Sequence, residues 1–487
     1  MSQGWTIPPE VDREMTPAVR AFFQAQRAQW DEERRVMQGR IDELEAKVDR
    51  LERQLKLQNK FGHVDPAAGV VPTPPPPPRQ KSATKKKRGG QPGHKKAERT
   101  LVPVEQCQEV VPCKPTACRQ CGEALTGDDP EPWRHQVTEI PEIKPFIIEY
   151  QRHRLTCPCC RTSTCGELPA GVPQGMTGPR LIAFAVLLMG VFRQSKRRVS
   201  LFFDIGFHVK ACPGLVIKWQ KQATAATRAA YAELVKQLPL EPAVNVDETP
   251  TKEATENSWI WTVVAPLFTV FALRLTKART VISQLLGDAY AGIVTSDRAK
   301  MYDSFKRHQW CWAHLKRDFE AIALKDHLGA KQIGEQLVEL TKQVFHHWHR
   351  VRDGTVSYKT FRTHIVRLQA EFHNVLDDGT RCADNATAAL CSNLFNEFEN
   401  LWVFAADETL KIEPTNNSAE RALRHPVIWK GLSFGTQSAS GSRFVETILT
   451  IAETCRQQDR NVLEFLYESL TTHLKSQPGP SLLPKGV

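Results

Sequence analysis

Ala243-Val-Asn-Val-Asp-Glu-Thr249 has strand character and carries two acids near its end. Beyond it, Ser258-Trp-Ile-Trp-Thr-Val-Val264 and Phe268-Thr-Val-Phe-Ala-Leu273 are rich in the β-branched and aromatic residues that suit a pleated, half-buried surface. The short gaps between the three runs predict strands in hairpin connection. A helical stretch from about Thr280 to Leu286 follows, and then Gly292-Ile-Val-Thr-Ser-Asp297 reads as a fourth strand. On this reading Asp247 ends the first strand and Asp297 ends the fourth.

Three antiparallel strands, a helix and a further strand match the front of a ribonuclease H-like sheet, in which Asp247 and Asp297 are expected to meet at one edge, where two aspartates can share Mg²⁺. Hydrolysing or transferring a phosphodiester calls for hard cations about 3.5 to 4 Å apart, one for the attacking oxygen and one for the leaving oxygen, and carboxylates are their natural ligands. Thr415-Asn-Asn-Ser-Ala-Glu-Arg-Ala-Leu-Arg424 offers a third carboxylate, Glu420, at a helix start. A purely structural reading stands beside it, with Asn417 as N-cap and Glu420 three residues on in a capping box. Glu446 and Glu453, on a following helix, are the other candidates for the third ligand.

The chain has 487 residues, 41% hydrophobic and 24% charged, which suits about three globular domains and rules out wholesale disorder. Its longest apolar run, Leu181 to Phe192, is too short for the roughly 20 residues that span a bilayer, and the acidic start (Glu10, Asp12, Glu14) is unlike a secretory signal, so a cytosolic protein is expected. Thirteen cysteines in such a chain read as thiolates and metal ligands rather than disulfides. Much of the net charge of +11 lies between Arg79 and Thr100, where nine Lys and Arg face one Glu. Such a segment points to a polyanion, with nucleic acid first.

From Met37 onward, Met37, Ile41, Leu44, Val48, Leu51 and Leu55 step by four and three, a heptad seam that predicts a short coiled coil and a homo-oligomer. Pro72 and prolines 74 to 78 form an extended linker. Lys85-Lys-Lys-Arg-Gly-Gly-Gln-Pro-Gly-His-Lys-Lys96 follows, and Lys85, Lys86, Lys87, Arg88, His94, Lys95 and Lys96 are expected to contact DNA. Two C-x2-C knuckles, Cys118-Arg-Gln-Cys121 and Cys157-Pro-Cys-Cys160, supply four thiolates for one structural Zn²⁺. Cys159 and Cys165 are alternative ligands, and Phe146-Ile-Ile-Glu-Tyr150 between the knuckles has strand character, as in a zinc ribbon. After Pro179, helices are expected at Leu181 to Phe192, Arg198 to Phe207 and about Pro213 to Leu238, either as a basic helix-turn-helix or as a plain helical bundle.

These motifs in this order, with Gly89-Gly-Gln-Pro-Gly-His94, Val246-Asp-Glu-Thr249, Ser296-Asp-Arg298, His308-Gln-Trp-Cys-Trp-Ala-His-Leu315 and Asn416-Asn-Ser-Ala-Glu-Arg-Ala-Leu-Arg424, resemble the large catalytic subunit of the insertion sequence 66 family of bacterial transposases. The resemblance covers about residues 30 to 470. It implies that Asp247, Asp297 and Glu420 form the acidic triad of a DDE transposase using two Mg²⁺ ions, that a helical insertion separates the last two, and that small accessory proteins assist. It also marks Cys311-Trp-Ala-His314 as a Cys-x-x-His signature; two ligands alone make no tetrahedral site, so packing and orientation near the active site are expected of the pair. The chain departs from the family pattern at Pro250 and at Lys277-Ala-Arg279, and neither change removes a carboxylate.

The expected architecture is a multidomain α+β chain: a coiled-coil helix at 20–60, a Pro-rich and basic linker at 61–100, a zinc-binding module at 101–175 and a helical DNA-binding domain at 176–240. A ribonuclease H-like domain at 241–475, with a helical insertion at 319–409, and a tail at 476–487 complete it. The expected function is binding of element-end and target DNA in the cytoplasm, at the nucleoid, followed by Mg²⁺-dependent cleavage and strand transfer. The alternatives are a nuclease that cuts without joining and a domesticated zinc-dependent DNA-binding protein.

Overall fold

The computed structural model describes residues 100–406, 408–410 and 412–483, with scattered positions between 16 and 39. The heptad seam, the proline linker and the basic segment lie outside the described residues apart from those few positions. The chain divides into two units, Met1–Glu139 and Ile140–Val487. In the first, the described residues form a short 3-10 turn at Val104–Gln106 and a knuckle around Cys118.

The second unit is mixed α/β. A small antiparallel hairpin, β1 (Arg154–Thr156) with β2 (Ser163–Cys165), comes first. Residues 146–150 form no strand, contrary to the sequence expectation: no neighbouring strand covers them, and Phe146, Ile147 and Ile148 stay exposed. Helices α1 (Pro179–Gly190), α2 (Lys196–Phe207) and α3 (Pro213–Gln237) follow. Proline opens α1 and α3, where its missing N–H costs nothing, and His208 in the left-handed region ends α2.

The main sheet contains β3 (Ala243–Glu253), β4 (Glu256–Val264) and β5 (Thr269–Arg274), then, after helix α4 (Arg279–Leu286), β6 (Ile293–Ser296) and β7 (His308–Trp310). Its spatial order is β5-β4-β3-β6-β7. The first three strands are antiparallel neighbours, whereas β6 runs parallel to β3 and β7 parallel to β6. The expected three hairpin strands, helix and fourth strand are therefore present. One detail differs: β3 continues to Glu253, so Asp247 lies mid-strand, because β4 pairs with β3 along its whole later half.

The remaining helices are α5 (Trp312–Ala323), α6 (Leu328–Arg352), α7 (Tyr358–Thr380), α8 (Asn385–Asn396), α9 (Asn417–Ser433), α10 (Ala439–Gln457) and α11 (Val462–Leu474). Two cores result. One joins the sheet to α1, α3, α10 and α11 through side chains such as Trp219, Leu234, Trp261, Phe271 and Ile451. The other lies among α5 to α8 and is anchored by Trp312, which packs edge-on against Phe372 and Trp402.

Edge strand β5 is covered by α10 in an ordered way. Leu273 N–H donates to Glu446 Oε2 (3.1 Å), Phe271 N–H to Thr450 Oγ1 (2.9 Å) and Thr269 N–H to Thr454 Oγ1 (3.2 Å). Steps of four on a helix advance about 6.0 Å and steps of two on a strand about 6.6 Å, so three outward N–H groups meet three successive acceptors. Edge amides that would otherwise invite another chain are thereby satisfied.

Close approach of α6 to α5 depends on Gly334, where an added Cβ would stand 2.3 Å from the Ala323 nitrogen. Backbone cannot rotate aside as a side chain does. Gly334→Ala is expected to lower stability by about 1 to 3 kcal/mol in denaturant unfolding, the range for overpacking a filled core; an unchanged midpoint would show that the helices separate freely.

Candidate active site

Parallel pairing of β3 with β6 sets Ala243 against Ile293, Val244 against Val294 and Asn245 against Thr295. Extending that register by two places brings Asp247 level with Asp297, the residue just past β6. Asp247 Oδ1 accepts the Glu248 N–H (2.9 Å), and Asp297 Oδ1 accepts the Ala299 N–H (3.0 Å). A buried relay holds the end of β6. Trp310 Nε1 donates to His308 Nδ1 (3.2 Å), which leaves His308 Nε2 to donate to Ser296 Oγ (2.7 Å), and that hydroxyl donates to the Asp297 carbonyl (2.8 Å). Burial lowers the His308 pKa to about 4, so the ring stays neutral and the relay keeps one direction at neutral pH.

The third acid arrives on α9. Its N-cap is Asn416, one residue earlier than the sequence suggested, and the Asn416 side chain does not cap the helix. Instead, Asn416 Nδ2 donates to the Val246 carbonyl (2.8 Å), its Oδ1 accepts from Asn245 Nδ2 (3.1 Å), and its backbone N–H donates to Cys311 Sγ (3.1 Å). At the far end of the helix, Lys430 Nζ reaches Thr249 Oγ1 (2.6 Å) and the Pro250 carbonyl (2.7 Å). The helix is thus pinned along β3 on both sides of Asp247. Glu420, in its first turn, makes no return bond to Asn417 among the described residues, so a capping box does not account for it.

Asp247, Asp297 and Glu420 are brought into one electrostatic neighbourhood. Burial raises the Asp247 pKa well above the usual carboxylate range, and the charges of Glu248, Asp297 and Glu420 push it further. Clustered carboxylates of this kind take up either a proton or a cation, and an all-oxygen donor set suits Mg²⁺. Glu248 is separately satisfied: it accepts from Tyr302 Oη (2.5 Å) and pairs with Lys277 Nζ (2.7 Å), which lies over the Trp259 ring. Lys277, one of the family departures, therefore pairs with the acid next to Asp247.

Neither alternative third acid stands in this neighbourhood. Glu446 is fully buried and held by Arg228, Arg274 and Arg443, and Glu453 pairs with Arg456. Sequence reasoning missed Asn416 as a fastening point and Arg298, which pairs with Asp318 (2.5 Å) on α5 and lies over Trp310. The Cys311 and His314 pair lies beside Glu420. Cys311 is buried at the start of α5, its amide bonded to the Ser296 carbonyl (2.9 Å), and His314 Nδ1 lies 3.8 Å from Glu420 Oε1.

The cysteine knuckles have matching turns. In one, Gly122 N–H donates to the Cys118 carbonyl (3.0 Å) with Gly122 at φ 77°; in the other, Arg161 N–H donates to the Cys157 carbonyl (2.9 Å) with Arg161 at φ 61°. Backbone N–H groups of Cys121 and Gln120 lower the Cys118 pKa, and hydrogen bonds from Thr162 bring Cys160 to about 7. Thiols so disposed toward the thiolate form suit a soft cation. Cys118 and Cys121 belong to the first unit, and Cys157, Cys160, Cys159 and Cys165 to the second. Lys85, Lys86, Lys87, Arg88, His94, Lys95 and Lys96 lie outside the described residues.

No helix among the described residues is long and apolar enough to cross a membrane. No curated protein matches the chain at a significant level. A model of the zinc-finger binding domain of transposase IS66 matches residues 115–161 and so spans both knuckles. The family model for the IS66 transposase matches residues 174–443, from just before α1 through the sheet, the inserted helices and α9 into α10. That match takes in more than half of the chain, together with all three acids and the strands and helix that carry them: the protein belongs to the IS66 family of transposases.

Proposed function

We propose that Asp247, Asp297 and Glu420 are the metal-binding acids of a DDE transposase built on a ribonuclease H-like sheet, and that they support DNA cleavage followed by strand transfer. The observation that carries this reading is the convergence of the three acids on the β3–β6 pair, in a sheet of order β5-β4-β3-β6-β7 with one antiparallel wing and one parallel wing. Two Mg²⁺ ions, when bound, would activate the attacking oxygen and stabilise the leaving one. The protein's part is to hold the acids: β3 presents Asp247, the His308–Ser296 relay fixes the strand end that carries Asp297, and Asn416 fixes the helix that carries Glu420. Water would cut at the element's end, and the freed 3′-hydroxyl would attack target DNA in line, with no covalent enzyme intermediate. Helices α5 to α8, with their separate core, serve as the insertion between the second and third acids.

Four thiolates, Cys118, Cys121, Cys157 and Cys160, are proposed to hold one structural Zn²⁺, a reading supported by the paired knuckle turns and by the zinc-finger match across both. Changing Cys121 and Cys157 to Ser is expected to remove one zinc per chain in metal analysis while the circular dichroism of the sheet and helices persists. Undiminished zinc would sink this assignment. The basic residues from Lys85 to Lys96 are proposed to bind DNA phosphates, and the heptad helix to pair two copies so that two element ends come together. Action in the cytoplasm, at the nucleoid and with accessory proteins, belongs to the same reading.

Incubating the purified full chain with element-end DNA, target DNA and Mg²⁺ tests the activity. Joined products are expected. Cleavage without joining would make the protein a nuclease, and DNA binding with neither reaction would make it a binding protein.

A further inference from the structure

Cys311 Sγ, His314 Nδ1 and a Glu420 carboxylate oxygen all lie within 4.8 Å of one another. They come from two elements: Cys311 and His314 sit one turn apart at the start of α5, and Glu420 faces them from the first turn of α9. We propose that these three side chains form a second metal site, selective for Zn²⁺ over Mg²⁺, which shares Glu420 with the acidic triad. The sharing rests on the triad assignment above; the metal site itself does not.

The donor set decides the cation. A thiolate and an imidazole suit zinc, whereas Mg²⁺ takes oxygen ligands and keeps much of its water. Geometry fits as well. Ligands about 2.0 to 2.3 Å from a tetrahedral ion stand roughly 3.3 to 3.8 Å apart, and His314 Nδ1 lies 3.8 Å from Glu420 Oε1, too far for a hydrogen bond. Glu420 Oε1 is buried without a hydrogen-bond donor, and Arg317 Nη2, an ion-pair partner at 3.7 Å, is outside hydrogen-bonding distance. An orphaned buried carboxylate oxygen is costly and marks a place where a partner belongs. The outer shell is in place too: the Asn416 N–H donates to Cys311 Sγ (3.1 Å), as backbone amides do for metal-bound thiolates, and the same Asn416 holds β3. Three protein ligands leave a fourth position open, the pattern of zinc sites that exchange a ligand.

Zinc on this site would occupy one oxygen of Glu420 and withdraw negative charge from the oxygen cluster that binds Mg²⁺. The pair Cys311 and His314 would then set how firmly the third acid is held and how readily it serves the hard cations.

Zinc content of the full chain, equilibrated with Zn²⁺ and freed of excess by gel filtration, tests the proposal. Two zinc ions per chain are expected in the wild type, one of them retained in the Cys121 and Cys157 double variant. Cys311→Ser and His314→Gln should each lose one equivalent; His314 is a third exposed, so its variant decides the matter if the buried cysteine variant fails to fold. Wild-type zinc content in His314→Gln would overturn the site. Glu420→Gln separates the two readings. Zinc retained with cleavage lost would refute the shared ligand and leave the triad standing, whereas zinc lost with cleavage retained would refute the triad and leave the zinc site.

Discussion

Asp247→Asn is expected to lower Mg²⁺-dependent cleavage and joining by about 10³-fold or more, since a metal-binding carboxylate contributes several kcal/mol to the transition state. Asp247 occupies the middle of the central strand, level with Asp297, and Glu420 on α9 adds its charge to the pair. Asparagine keeps the shape and the bond from the Glu248 amide but removes the charge a hard cation needs. Under the proposed phosphate contacts by the basic segment, DNA affinity should stay within about two-fold. Because burial and three neighbouring acids raise the Asp247 pKa, the neutral variant should also fold at least as stably as the wild type in metal-free buffer. The sign follows from the shift: a carboxyl whose folded pKa exceeds its unfolded one weakens the native state as pH rises. Gel assays of cleavage, filter binding and thermal unfolding on one preparation check all three; persistent Mg²⁺-dependent cleavage would remove Asp247 from the chemistry.

Glu446→Ala should lower stability by about 3 kcal/mol, near the lower end for breaking a buried charge pair. The Glu446 carboxylate is fully buried and faces Arg228 (3.3 Å), Arg274 (3.1 Å) and Arg443 (3.2 Å) while accepting the Leu273 amide. The three guanidinium side chains are each partly exposed and can turn to water, which limits the loss, but the Leu273 amide is left without an acceptor. Glu446→Gln keeps an acceptor and should fall between wild type and Ala. Urea unfolding at neutral pH makes the comparison. Equal stability of all three would show that the arginine cluster, although well formed, is energetically neutral.

The sheet was legible because Val, Ile, Trp and Phe cluster at β3 to β6 between short polar breaks, and the level placement of Asp247 and Asp297 was legible because each follows directly on such a run. Register was not. Nothing in Ala243 to Glu253 announces that the strand continues six residues past Asp247; that depends on pairing with β4. Asn416 stood in a recognisable motif, yet its role depends on the Val246 carbonyl 170 positions away and on Cys311 Sγ 105 positions away. Glu446 looked like a possible metal ligand because, like Glu453, it lies on the helix that follows Glu420, and its arginines come from three separate elements, α3, β5 and α10. Cys311 and His314 are a recognisable pair in sequence, and only folding brings Glu420 beside them. The knuckles, by contrast, are local devices whose turns follow from a few adjacent residues, although Phe146 to Tyr150 shows that strand-forming residues without a neighbour remain outside the ladder.

Helix α10 stands against β5 as a surrogate strand, with Glu446, Thr450 and Thr454 supplying the acceptors that a sixth strand would have offered as carbonyls. Such a match has a phase. Adding or deleting one residue within α10 turns its later acceptors by about 100° around the helix axis, and a one-residue slip in β5 turns its amides to the other side. The two elements therefore tolerate substitution far more readily than a change in length, and between residues 269 and 274 and between 446 and 454 the spacing itself is the inherited trait.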